Sequence, residues 1–114
     1  MFEDMNREIQ IKAMSSGTRL TILRLLADPA REFAGQWSAD PGEFGVCMTL
    51  IAEALGVAQP TASRHLDILR QAGFISVKRH QKWSYCRRES TAISEYLSWL
   101  GQELSLNNAV TQTT

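Results

Sequence analysis

The sequence predicts a mainly α domain carrying one β-hairpin, with its elements in the order α-α-α-α-β-β-α. Two observations predict it. Residues 49–72 (TLIAEALGVAQPTASRHLDILRQA) hold two stretches of helical apolar spacing broken at Gly56. Residues 74–78 (FISVK) and 83–87 (WSYCR) alternate as strands around a polar, basic turn at 79–82. A third observation sets the scale. The 114 residues suffice for one domain with a modest core, expected over 1–106, with 107–114 (NNAVTQTT) as a frayed tail.

Residues 1–14 carry a weak helical stripe through Phe2, Met5, Ile9 and Met14, with Ile11 beside it. A helix this short needs a partner, either its own core or a second subunit. Ser15, Ser16 and Gly17 interrupt it, and Ser16 is placed to cap the second helix. Residues 18–27 (TRLTILRLLA) hold Leu20, Ile22, Leu23, Leu25 and Leu26. That is too many for one face and predicts a helix in mid-core, ended by Asp28-Pro29. Residues 29–46 contain two prolines and three glycines and read as a long connection, with a helical turn at most over 31–37. Phe33, Trp37 and Phe44 are its expected anchors. The segment is either a tolerated surface insertion or a functional loop.

The central stretch carries the functional expectation. Leu50, Ile51, Ala54 and Leu55 follow helical spacing, and Ala52 is small where helices must approach. Gly56 turns the chain, Val57 plugs the corner, and Pro60 falls in the first turn of the next helix. Ala62, Leu66 and Leu69 mark that helix's buried face, Ile68 flanks it, and Gly73 ends it. This is the helix-turn-helix pattern, whose second helix enters a DNA major groove. Gln59, Thr61, Ser63, Arg64 and His65 are polar and lie off the apolar stripe. Gln can read adenine, Arg can read guanine, and Thr and Ser can donate to phosphates. The competing reading is the solvated face of an ordinary bundle. In the hairpin, Trp83 and Tyr85 fall on one face and Ser84 and Cys86 on the other. Its basic tip, with Arg79 and Lys82, makes it a wing over flanking phosphates.

Net charge is zero, but its distribution is uneven. Residues 59–88 hold Arg64, Arg70, Lys78, Arg79, Lys82, Arg87 and Arg88 against Asp67 alone. One basic segment on a neutral chain can hold DNA on that side. Ser90 is placed to cap a last helix in which Ile93, Tyr96, Leu97, Leu100 and Leu104 form a stripe, with Trp99 partly off it. Together with the first helix this extra apolar face suggests a homodimer on a two-fold operator, against the alternative that both helices pack on their own core.

Other classes find little support. No apolar run reaches the length of a membrane span and no signal pattern opens the chain, so a cytoplasmic protein is expected. There is no glycine-rich phosphate loop and no acid/base cluster, so no enzyme is expected. Two cysteines and two histidines, with His65 on the DNA face and His80 at the wing tip, are too few for an evident metal site, and no cofactor is expected. Cys47 and Cys86 are either packed thiols or sensor thiols, Cys47 standing near a helix N-terminus.

On SSGTRLTILRLL (15–26), VAQPTASRHLDILRQAGFI (57–75) and KWSY (82–85), the chain resembles the ArsR/SmtB family of winged-helix repressors over roughly residues 5–100. The resemblance implies a homodimeric repressor released from its operator by a metal ion, oxidant or small molecule. Departures are visible. Where many members have C-x-C, this chain has Gly45-Val46-Cys47. Its last helix lacks the Asp and His of the zinc sensors, offering only Glu95 and Glu103. Ala58 replaces a common capping serine, and the wing has Tyr85-Cys86 where Tyr-Tyr is frequent. A protein-interaction module and a thiol-based redox regulator stay open as alternatives, as does an organic or protein effector near the Trp37 loop.

Overall fold

The computed structural model describes residues 2–106, the side chains of residues 2–5 excepted. The expectations for the Phe2 and Met5 side chains and for the 107–114 tail lie outside the described residues. In chain order the elements are α1 (Phe2–Met14), α2 (Gly17–Leu25), α3 (Pro29–Glu32), α4 (Pro41–Phe44), β1 (Val46–Cys47), α5 (Met48–Leu55), α6 (Gln59–Gln71), β2 (Ile75–His80), β3 (Trp83–Arg88) and α7 (Ser90–Glu103).

One apolar core joins the helices to the sheet. Ile22, Leu23 and Leu26 from α2 and its cap meet Ile51, Leu66, Leu69, Phe74, Ile75 and Tyr96 there. Burying each large side chain contributes about 1.5–3 kcal/mol. Helix α2 is central, as its leucine content predicts, but Leu20 is 43% exposed, so one edge of that helix faces outward. Ser16 does cap it, its hydroxyl accepting from the Arg19 amide.

The sheet is antiparallel in the order β1-β3-β2. Two strands were expected, and the third is a correction. Val46–Cys47 is too short to show period-two alternation in sequence. Gly45 makes its start possible: φ is +97°, and a Cβ there would stand 2.6 Å from the Cys86 carbonyl oxygen. Pairing also extends further into the hairpin than expected. His80 pairs with Trp83, so Arg79 and His80 belong to β2 and the turn shrinks to Gln81-Lys82.

Central β3 has both faces covered. Val46 and Cys86, an in-register pair, face the helical core. Cys47 and Tyr85 share the other face. That second face is roofed by the 33–45 connection. The Gln36 amide nitrogen donates to Ala39 O at 2.8 Å and Gly45 O at 3.1 Å, while its oxygen accepts from the Cys47 amide at 2.8 Å. Tyr85 donates its hydroxyl to Ser38 at 2.9 Å. Phe44 stacks 4.8 Å from His80 and 6.1 Å from Tyr85. Phe33 is buried, but the expected anchor Trp37 is 84% exposed, meeting Trp83 edge-on at 5.9 Å. The expected turn over 31–37 is displaced into two short helices. Each starts on a proline after an aspartate, and Asp40 accepts from the Glu43 amide.

In α7 the cap residue is Glu89 rather than Ser90, whose hydroxyl instead accepts from Arg88 Nε. Tyr96 and Leu100 pack inward, and Trp99 does so too, 5.9 Å from Tyr96 and under Arg7. Leu97 and Leu104 do not share that inner face. They are 49% and 59% exposed.

Candidate nucleic-acid interface

Helix α5 ends at Gly56, which adopts the left-handed conformation at φ 69°, ψ 31°. Val57 N then donates back to Ala52 O at 3.1 Å, which fixes the corner. Ala58 is the N-cap of α6 and supplies no side-chain acceptor. Ala62, Leu66 and Leu69 seat α6 on the core.

Two polar ties orient α6 as well. Gln10 Nε2 donates to Ala72 O at 3.1 Å, at the helix's C-terminal end. Arg19, only 8% exposed, donates Nε to Ala13 O at 2.9 Å and Nη2 to Lys12 O at 2.8 Å. Its Nη1 lies beside the His65 ring. One guanidinium thus closes the last turn of α1 and holds the middle of α6. Sequence reasoning passed over Arg19. The available signal was a cation inside an apolar run, where burial demands partners.

The expected DNA face divides accordingly. Arg64 is exposed, nearly opposite the Ala62–Leu66–Leu69 stripe by helical geometry. Gln59 is exposed at the N-terminus, and Thr61 and Ser63 are half-buried on the flanks. His65 is the exception and corrects the expectation of an outward histidine. It leans toward α2, and Arg19 occupies its Nδ1. Burial lowers its pKa below 6.5, helped by the charges of Arg19 and Arg64.

The basic residues divide too. Arg64, Lys78, Arg79 and Lys82 are exposed on α6 and the wing, with Lys82 Nζ 5.4 Å over the Trp83 ring. Arg70 is matched by Asp67 at 2.7 Å, and that carboxyl is held below its usual range by Arg70 first and by Gln71 second. Arg87 and Arg88 are tied back at the hairpin's root, to Glu43 O and Leu23 O. His80 is not a free tip residue either, since Phe44 covers it.

Cys47 and Cys86 are both buried and unbonded. Their register partners, Tyr85 and Val46, put them on opposite faces of the sheet. Burial, and then Cys47, push the Cys86 thiol up to about 12. Among the described residues, no three His, Cys, Asp or Glu side chains gather where a metal could be held. No helix among them is long and apolar enough to cross a membrane.

Residues 47–77, from the end of β1 through α5 and α6 to the start of the wing, match the family model for "Bacterial regulatory protein, arsR family". Over 93 residues the chain is 39% identical to the uncharacterized HTH-type transcriptional regulator YbzH of Bacillus subtilis, covering 82% of this chain and 93% of that one. The chain belongs to the ArsR family. The ArsR-type chain is also 32% identical over 89 residues to the transcriptional repressor SdpR of Bacillus subtilis, covering 78% of this chain and 82% of that one. Among solved structures it is similar to the homodimeric winged helix-turn-helix DNA-binding domain of Mb0332 from Mycobacterium bovis. The TM-score is 0.61 at 25% identity, over 88% of this chain and 78% of that one. Its α5–α6 unit and hairpin are therefore the DNA-binding winged helix of an ArsR-family transcriptional regulator, a family and fold of regulators rather than enzymes.

Proposed function

We propose that this ArsR-family protein is a homodimeric, sequence-specific repressor. Residues 1–106 act as a single DNA-binding and dimerisation domain in the cytoplasm, and an effector releases the protein from its operator. The observation that carries this reading is Arg64 on the free face of α6, with the wing cations on the same chain. Two copies related by a dyad would present two such helices to successive major grooves. Arg64 and Gln59 would read base edges, while Thr61, Ser63, Arg79 and Lys82 would contact phosphates. Exposed Leu97 on α7, Leu104 at its C-cap and Ile11 on α1 support pairing through the terminal helices. The homodimeric state of the Mb0332 domain and the repressor name of SdpR agree with it.

Selection from a random duplex library, followed by titration at rising salt, tests the reading. The expected result is a two-fold symmetric site whose affinity falls steeply, by about 0.9 log units per tenfold of salt for each neutralised phosphate. No enrichment, or binding indifferent to salt, would overturn it in favour of a protein-interaction module.

A further inference from the structure

Arg87 and Arg88 sit at the root of the hairpin, remote from its Gln81-Lys82 turn, and the DNA face leaves them unexplained. Strand β1 stops pairing with β3 at Val46 and Cys86, and the chain veers off at Gly45. Where β1 would have continued, a cavity of about 350 Å³ opens. That is the size of a small-molecule site. Leu26, Ala27, Pro29 and Pro41 supply apolar wall, and Arg87 and Arg88 supply charge.

Among the described residues neither guanidinium has a carboxylate partner. Arg87 Nη1 donates to Glu43 O at 2.6 Å. Arg88 donates to Leu23 O at 3.3 Å and to the Ser90 hydroxyl at 3.1 Å. Two full positive charges are thus held only by neutral oxygens. Asp28, the acid in the lining, has Arg31 3.7 Å away. Ser90, the first residue of α7, also lines the cavity, and that helix has no side-chain cap. Glu89 bonds Ser76 instead, at 2.7 Å.

We propose that this cavity binds a small organic carboxylate, its apolar body against Pro29 and Pro41 and its charge on Arg87 and Arg88. A carboxylate brings a full opposite charge and can take a guanidinium through two parallel hydrogen bonds, neither of which a backbone carbonyl offers. A carboxylate therefore competes well with Glu43 O and Leu23 O. Those two bonds are among the ties of β3 to the roof and to α2, so occupancy loosens the root of the wing while its strand pairing stays. This second half, that the cavity is an effector site, rests on the reading of the chain as a releasable repressor.

The experiment is an amide-resolved NMR titration of the full chain, without DNA, using benzoate and its neutral counterpart benzamide. Benzoate is expected to shift the amides of Ala27, Gly42, Gly45 and Ser90 saturably, and benzamide is not. Arg87→Gln should weaken benzoate about tenfold, the loss of one charge-assisted contact. Asp28→Asn, which leaves both guanidiniums in place, should tighten it. Absent or scattered shifts, equal binding of benzamide, or unchanged affinity in both variants overturns the site. Benzoate should also lower affinity for the selected duplex. Binding at the site with no change on DNA overturns the effector role. A protein that ignores all duplexes defeats the repressor reading, yet the titration still decides the cavity.

Discussion

Arg19 Nη1 lies 3.0 Å from His65 Nδ1. A guanidinium has only donors, so Nδ1 must accept, and His65 is neutral with its proton on Nε2. Folding thus disfavours protonation, as the lowered pKa of His65 also says. Since the folded value lies below 6.5, the unfolded chain binds more protons around that pH. The stability this contact contributes is complete above 6.5 and is lost as pH falls through the depressed folded value. Denaturant midpoints measured from neutral to mildly acid pH should decline in the parent. In His65→Asn, which keeps an acceptor but cannot titrate, the decline should be shallower. Parallel curves for the two proteins would remove His65 as the titrating group.

Arg64 and Lys82 should fail differently on DNA. Arg64→Ala is expected to cost roughly 1–3 kcal/mol on the preferred site and to relax base preference at one position per half-site. Lys82→Ala should weaken every duplex about equally and flatten the salt slope by about one unit per chain. Competition binding with single-base variants of the site separates the two. Identical profiles would mean that their roles are misassigned.

Ala58 has φ −66° and ψ 149°, a backbone suited to a cap, but no oxygen to offer. Ala58→Ser should therefore stabilise the fold by about 1 kcal/mol by satisfying an amide at the start of α6. A rise of about 4 °C in Tm is the expected readout. An unchanged or lower Tm would show that the first turn is already satisfied in another way.

Cys86 should be chemically quiet. With its thiol near 12 and its side chain fully buried, little thiolate exists at neutral pH. A thiol-reactive dye should modify Cys86 only at the rate of opening of the fold, and Cys47→Ser should leave that slow phase intact. Rapid labelling of Cys86 in the native protein would revive it as a sensor.

The helix-turn-helix was legible because its signals are local. Gly56, Pro60 and the Ala62–Leu66–Leu69 spacing depend on neighbours within one or two turns. The wing was legible for the same reason, through alternation. What sequence missed depends on partners far along the chain. Gln36 became structural only because Gly45 and Cys47 come to it. Arg19 did so because α1 ends beside α6. Strand β1 is visible only once β3 lies next to it. His65 was misjudged on local grounds: the 3.6-residue period sets it only about 40° from Leu69, at the edge of the apolar stripe. The position of α2 then decides what its ring meets.

The roof over β3 reaches the last rung of the hairpin, since Phe44 contacts His80 and Trp37 contacts Trp83. The hairpin is consequently a braced lever rather than a swinging flap. Its unsupported span is the two residues Gln81 and Lys82. Adaptation to different groove widths must then come from the reach of long side chains, not from bending of the ribbon. A variant with extra paired residues inserted at that tip would gain a segment able to flex beyond the reach of Phe44 and Trp37.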